Sequence, residues 1–196
     1  MILAIDTSAG TSVALVGDGI VVEAATADTR SHSEHIGNFI DRVLTDADRT
    51  PADVTAVVAG LGPGPFTGLR VGIAAAITFA LGRGIPTYGV PSHDAAAVGR
   101  ESCVVVTDIR RRELSWTTYR GGVAVDGPNI TTEETLATDV DLEAFPEVRA
   151  TTVSAALLAT AAQHRLDRGD DLSSLRPLYL RAPDATPGNG PKRVSG

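Results

Sequence analysis

Gly62-Pro63-Gly64-Pro65-Phe66-Thr67-Gly68-Leu69-Arg70 stands between two apolar runs, Val54 to Leu61 before it and Val71 to Leu81 after it. The first run has the length and β-branched content of a buried strand, the Gly/Pro cluster marks a tight loop, and the second run continues as a long helix. Thr67 is placed to cap that helix with its hydroxyl. Phe66 and Val71 occupy the two positions of a hydrophobic staple. Gly62, Gly64, Thr67 and Gly68 therefore read as a structural loop that turns the chain sharply and launches a helix.

Ligand-binding readings of the loop fail on its residues. A phosphate-cradling P-loop needs Lys and then Ser/Thr after its last glycine, where Leu69 and Arg70 stand. A dinucleotide fingerprint needs a glycine in place of Thr67 and an acidic residue about twenty positions on, yet no Asp or Glu occurs from Val54 to His93. In the helix, Leu69, Ile73, Ile77 and Ala80 mark one face and Val71, Ala75, Phe79 and Gly82 another, with charge only at Arg70 and Arg83. A helix without a polar face is buried on every side. One side has the domain's own sheet to cover it, and the other needs a partner.

Composition narrows the function classes. The 196 residues are 43% apolar, enough for an ordinary core, and Cys103, the single cysteine, lies within an apolar run as a small hydrophobe. Acidic side chains outnumber basic ones 24 to 17, for a net charge of −7, which argues against a protein that grips a polyanion by itself. Arg110, Arg111 and Arg112 form the basic run expected in the fold, read as a solvated turn between strands in preference to a nucleic-acid contact. With aromatic content at 4%, base stacking is not a persuasive mechanism. No targeting segment and no apolar run of membrane-span length is read, so a soluble cytoplasmic protein is expected.

Two halves open alike. Met1 to Ile5 is a strand delivering Asp6 to the small-residue loop Thr7-Ser8-Ala9-Gly10-Thr11, followed by strands Ser12 to Val16 and Ile20 to Ala25 and a helix Ser33 to Asp46 with Ile36, Phe39, Ile40, Val43 and Leu44 at helical spacing. Val104 to Thr107 likewise ends at Asp108, with strands Glu113 to Arg120 and Val123 to Asp126 after it. A strand Val148 to Val153 and a helix Ser154 to Leu166 close the second half. The matched order predicts an α/β fold of duplicated β-β-β-α-β-α units, the second shortened. Lobes are expected over 1–98 and 99–181, with a disordered tail over 182–196.

Such paired loops resemble the actin, sugar-kinase and Hsp70-like (ASKHA) architecture, in which two aspartates face a nucleotide's phosphates. Asp6, Thr7, Ser8 and Asp108 are thus candidate vestigial phosphate loops. The late segment Thr151 to Ala155 carries no glycine, so the adenosine pocket looks unformed. His32 and His35 stand three apart without a further convincing ligand, His93 and His164 join no constellation, and no catalytic triad can be nominated.

Ile5-Asp6-Thr7-Ser8, Ser31-His32-Ser33-Glu34, the motif Gly62 to Gly72, Asp108-Ile109-Arg110-Arg111-Arg112-Glu113 and Arg176-Pro177-Leu178-Tyr179-Leu180-Arg181, in that order, resemble the TsaB (YeaZ) family. The resemblance implies a non-catalytic scaffold of the bacterial machinery that places threonylcarbamoyl on the adenosine beside the anticodon of ANN-decoding tRNAs. The chemistry and metal belong to the partner TsaD, and the ATPase TsaE is the third member. TsaD binds through a bundle of the first two long helices, the surface that also supports homodimers. Ile36, Phe39, Ile40, Val43, Val71, Ala75 and Phe79 are the expected partner-binding residues. No cofactor is expected in the isolated chain, with ATP/ADP and metal entering with the partners, and tRNA only in the complex. Pro65 stands where the family has Ser, and the second half is shorter than is usual. An ATP-dependent phosphotransferase of the same fold, or a metallopeptidase, is the alternative.

Overall fold

The computed structural model describes residues 1–29, 31–110 and 112–181, so Arg111 and the tail expected over 182–196 lie outside the described residues. In chain order the elements are β1 (Ile2–Asp6), β2 (Thr11–Gly17), β3 (Ile20–Thr26), α1 (His32–Asp46), a 3-10 turn (Pro51–Asp53), β4 (Ala56–Gly60), α2 (Phe66–Arg83), β5 (Thr87–Val90) and α3 (Ser92–Ala97). The second half contributes β6 (Ser102–Arg110), β7 (Glu113–Arg120), β8 (Val123–Thr132), α4 (Leu136–Asp139), β9 (Glu147–Arg149) and α5 (Ala155–Asp167).

The first sheet runs β3-β2-β1-β4-β5, antiparallel across β1, β2 and β3 and parallel across β1, β4 and β5. The side-chain alternation of its central strands divides the core in two. Leu3, Ile5, Val13, Leu15 and Val57 point to α1 and α2, where they meet Ile36, Val43, Ile73 and Ala76. Ala4, Ala14 and Val58 point the other way, against Ala95 of α3 and Ala155, Leu158, Ala159 and Ala162 of α5. The small residues on this second side let α5 lie close to the strands.

The second sheet runs β8-β7-β6-β9, with β6–β7 and β7–β8 antiparallel and β6–β9 parallel, the same order and directions as the first four strands of the first sheet. Val104, Val106, Leu114 and Trp116 fill one of its faces under Leu136 and Val140. The observed architecture is thus α/β with two mixed sheets.

Several boundaries differ from expectation, each for a tertiary reason. The late strand ends at Arg149, where Val153 had been expected, because the Ser12 hydroxyl donates to the Val153 carbonyl at 2.6 Å and holds this segment against the first sheet. Glu23 of β3 then receives the start of α5, accepting from the Ala155 amide at 2.6 Å and the Ser154 hydroxyl at 2.9 Å. A carboxylate there satisfies free amides and complements the helix dipole.

Thr67 is not the cap of α2. Pro65 holds the cap position in an extended conformation (ψ 131°), its carbonyl accepting from the Leu69 amide, and Thr67 lies one residue inside the first turn, exposed. The staple is also replaced, since Phe66 is itself the first helical residue and stacks on Tyr179 with ring centroids 4.5 Å apart. The far end is closed by Gly84 in the left-handed conformation (φ 66°). Ser154 is a true cap, accepting from the Leu157 amide at 3.2 Å. Ser154→Ala is therefore expected to cost about 1 kcal/mol and Thr67→Ala less than about 0.5 kcal/mol, a contrast to be read from urea midpoints.

By length and composition α2 matches a membrane-crossing helix, with mean hydropathy 1.2 over 18 residues, against the expectation that no run reaches that length. In this fold it lies on β4 and β1.

Candidate functional site

The loop after β1 and the glycine loop before α2 are interlocked. Asp6 is 1% exposed. Its Oδ1 accepts from the Ser8 amide at 2.8 Å and the Ser8 hydroxyl at 2.6 Å, and its Oδ2 accepts from the Ser92 hydroxyl at 2.5 Å. The Ser92 oxygen in turn accepts from the Gly62 amide at 2.9 Å, so its proton is committed to Asp6. Burial pushes the Asp6 carboxyl above its ordinary range, and the Ser8 and Ser92 hydrogen bonds pull it part of the way back.

Thr7 extends the same contact, its hydroxyl donating to the Gly68 carbonyl at 2.8 Å. The glycines are demanded by this proximity: a Cβ on Gly64 would sit 2.6 Å from the Ser8 carbonyl oxygen, and one on Gly72 would overlap the Thr7 hydroxyl. All three residues of Asp6-Thr7-Ser8 are buried and engaged by the chain itself. Asp108 differs: it is exposed, on the second sheet, and β6 continues past it to Arg110.

Ser92-His93-Asp94 is a junction that the sequence did not reveal, each residue serving a different element. Ser92 holds the two loops just described. His93, 1% exposed, lies between the Thr117 and Thr107 hydroxyls at 2.9 Å each, joining α3 to β7 and β6. Asp94 accepts from the Tyr119 hydroxyl at 2.7 Å and from Arg165 of α5 at 3.0 Å. Three polar residues in a row at the start of an Ala-rich segment were the available signal, and only their partners give it meaning.

Burial lowers the His93 pKa from 6.5 to about 3. Between those values the unfolded chain binds a proton that the folded chain refuses, so stability present above pH 6.5 is lost as pH falls toward about 3. Asp6 and Asp94, raised by burial, act in the opposite sense, because the folded chain holds their protons to higher pH than the unfolded one. His93→Gln is expected to remove about 1.4 kcal/mol per pH unit from the acid-side fall, compared by urea melts at about pH 6.5 and about pH 5. An unchanged slope would refute the assignment.

The histidines at the start of α1 do not converge. His32 turns inward to the Thr11 hydroxyl at 2.8 Å, while His35 approaches Asp28 at 3.4 Å and stacks on Phe39 with centroids 5.4 Å apart. Among the described residues no cluster of three metal-ligating side chains occurs.

The seven residues expected to face a partner divide. Ile36 and Val43 are consumed by the chain's own core, at 4% and 0% exposure, because α1 presents them to β2 and β3. Phe39, Ile40, Val71, Ala75 and Phe79 are half-buried, with Leu81 at 76% exposure on the same helix. The expected burial of α2 on every side is therefore not met within the chain. Its Leu69, Ile73, Ala76 and Ala80 face is covered, while Ala74, Leu81 and Gly82 are open. Leu81 had not been singled out, although it ends the apolar run.

The late segment quoted above, Arg176 to Arg181, packs back on the fold. Leu178 donates its amide to the Leu61 carbonyl at 2.8 Å, Leu175 and Leu178 join the core, and the Arg70 guanidinium sits 3.8 Å over the Phe66 ring while donating to the Tyr179 hydroxyl.

Residues 2–137 match the family model described as TsaD, tRNA N6-adenosine threonylcarbamoyltransferase. An uncharacterized protein of Mycobacterium tuberculosis strain H37Rv is 39% identical over 95% of this chain and 94% of its own length. The Escherichia coli tRNA threonylcarbamoyladenosine biosynthesis protein TsaB is 35% identical over 61% of this chain and 54% of its length, so the chain spans about half of that relative. YeaZ from Pseudomonas aeruginosa superposes with a TM-score of 0.75 at 23% identity, covering 91% of this chain and 99% of that one, a likeness of fold. The chain belongs to the family this model describes, and it is similar to TsaB in sequence over part of its length and to YeaZ in fold.

Proposed function

We propose that the chain is a non-catalytic scaffold in tRNA threonylcarbamoyladenosine biosynthesis, acting in the cytoplasm by binding and activating TsaD. The observation that carries this reading is the contrast between a closed loop and an open face. Asp6, Thr7 and Ser8 have their polar groups committed to Ser92, Gly68 and one another, leaving little with which to hold a nucleotide's magnesium. Beside them, α1 and α2 leave an apolar stripe of Phe39, Ile40, Val71, Ala75 and Phe79 half-covered, with Leu81 exposed farther round α2. Such a stripe suits a helical partner laid along it.

The two sheets of matching strand order support a duplicated ASKHA-type origin, the second unit cut short by the loss of a fifth strand. In this reading ATP and metal enter with TsaD and TsaE, and tRNA meets the chain only within the complex. Mixing the chain with TsaD and following both by size exclusion tests it. A single co-eluting peak is expected, and separate elution at all concentrations overturns the proposal.

A further inference from the structure

A cleft of about 330 Å³ lies on the α3–α5 side of the molecule, away from the α1–α2 stripe. Its walls are Asp94, Val98, Gly99, Arg100 and Glu101 from α3 and the chain after it, the Gly121-Gly122 turn between β7 and β8, and Ala161, His164 and Arg165 of α5 with Arg168 just past its end. The volume is that of a small-molecule site, for which about 300 to 1,000 Å³ is usual.

The charge on these walls is opposite to that of the chain. Three guanidiniums and His164 face two carboxylates, in a protein whose net charge is −7. Of the carboxylates, Asp94 is saturated, with one oxygen held by Tyr119 and the other by Arg165. Arg165 also binds Asp170, which Arg168 reaches through one nitrogen at 3.3 Å. Arg100 donates through Nε to the Ala96 carbonyl and has no carboxylate partner among the described residues, so its two terminal nitrogens and much of Arg168 remain available. Arg100 comes from the chain after α3 and Arg168 from the chain after α5, so two separate segments bring guanidiniums to the cleft, a donor set suited to gripping a tetrahedral anion.

The third wall is bare backbone. Gly99, Gly121 and Gly122 have φ of +75°, +55° and +73°, and a Cβ on any of them would meet no heavy atom within 4 Å. The chain there is turned in a way that favours glycine, and the space beside it is open.

We propose that this cleft binds a phosphate group carried by a small molecule, clamped between Arg100 and Arg168 with His164 alongside. Glu101, exposed at the cleft, opposes the anion and is screened by water and salt. Its removal therefore tightens binding, while loss of either arginine weakens it. The site is independent of the TsaD-binding reading, since it uses neither α1 nor α2.

The test is a titration of the ¹⁵N-labelled full chain with inorganic pyrophosphate, with a tRNA as the second arm. Saturable shifts are expected at the amides of Gly99, Gly121 and Gly122. Arg100→Gln with Arg168→Gln is expected to weaken binding at least about tenfold, and Glu101→Gln to strengthen it about twofold to threefold, with urea midpoints unchanged for all three substitutions. Shifts at these amides from tRNA but not from pyrophosphate overturn the small-molecule assignment and identify a backbone phosphate instead. No saturable shift from either, or shifts that survive the double substitution, overturns the site altogether.

Discussion

Phe39→Glu is expected to weaken association with TsaD by about hundredfold or more, the loss of about 2.7 kcal/mol that a central aromatic anchor carries at an interface. Phe39 is half-buried and stacked on His35, so part of its ring contacts the chain's own core and part remains for a partner. A substitution there carries a folding cost as well, which Leu81→Glu avoids. Leu81 is 76% exposed, and a carboxylate there is solvated in the free chain and desolvated only in the complex. The two variants together separate the effects. If Leu81→Glu and Phe39→Glu both retain cooperative melts and both still co-elute with TsaD, the α1–α2 stripe is not the docking surface. Ile36 cannot serve in this test, because at 4% exposure its replacement by glutamate would unfold the core and report nothing about the partner.

The largest stability effect is expected at Gly64. A Cβ on this residue falls 2.6 Å from the Ser8 carbonyl oxygen and 2.9 Å from the Ser8 Cα, both backbone atoms. Ser8 has no room to retreat, since its amide and hydroxyl are held by Asp6, which Ser92 holds in turn. Gly64→Ala must therefore pry two loops apart and is expected to cost about 3 kcal/mol, with Gly64→Val costing more. Gly82→Ala is the control. It lies inside α2, is exposed, and a Cβ there meets nothing within 4 Å, so the alanine is expected to stabilise by about 0.5 to 1 kcal/mol through helix propensity. Chemical denaturation of the two variants beside the parent decides the matter, and equal midpoints for Gly64→Ala and the parent would refute the interlock.

The β1 hairpin, the amphipathic pattern of α1, the strand before the glycine loop and the strand Glu113–Arg120 are all readable from period and punctuation, because each is specified by neighbours within a few residues. So is the end of α2 at Gly84, where the left-handed conformation requires a residue without a Cβ. The order of these elements and the glycine motif also sufficed for the family resemblance.

What failed to read locally was set by contacts from far along the chain. Thr67 looks like a cap in sequence, but the helix begins at Phe66 because that ring is held by Tyr179 and Arg70. The late strand stops at Arg149 because Ser12 holds Val153, and the helix that follows belongs to the first sheet because Glu23 receives it. His93, which joins no sequence motif, proves to be the pin between α3 and the second sheet.

The loop from Gly62 to Arg70 carries both lessons. Its residues alone exclude phosphate-cradling and dinucleotide readings, since the required lysine, glycine and acidic partner are missing, and they dictate a sharp turn into an apolar helix. That the glycines are there to admit Thr7 and Ser8, and that Ser92 ties the loop to Asp6, was decided only when the chain folded. Close backbone approach is a property of two segments at once, and a linear pattern records only one of them.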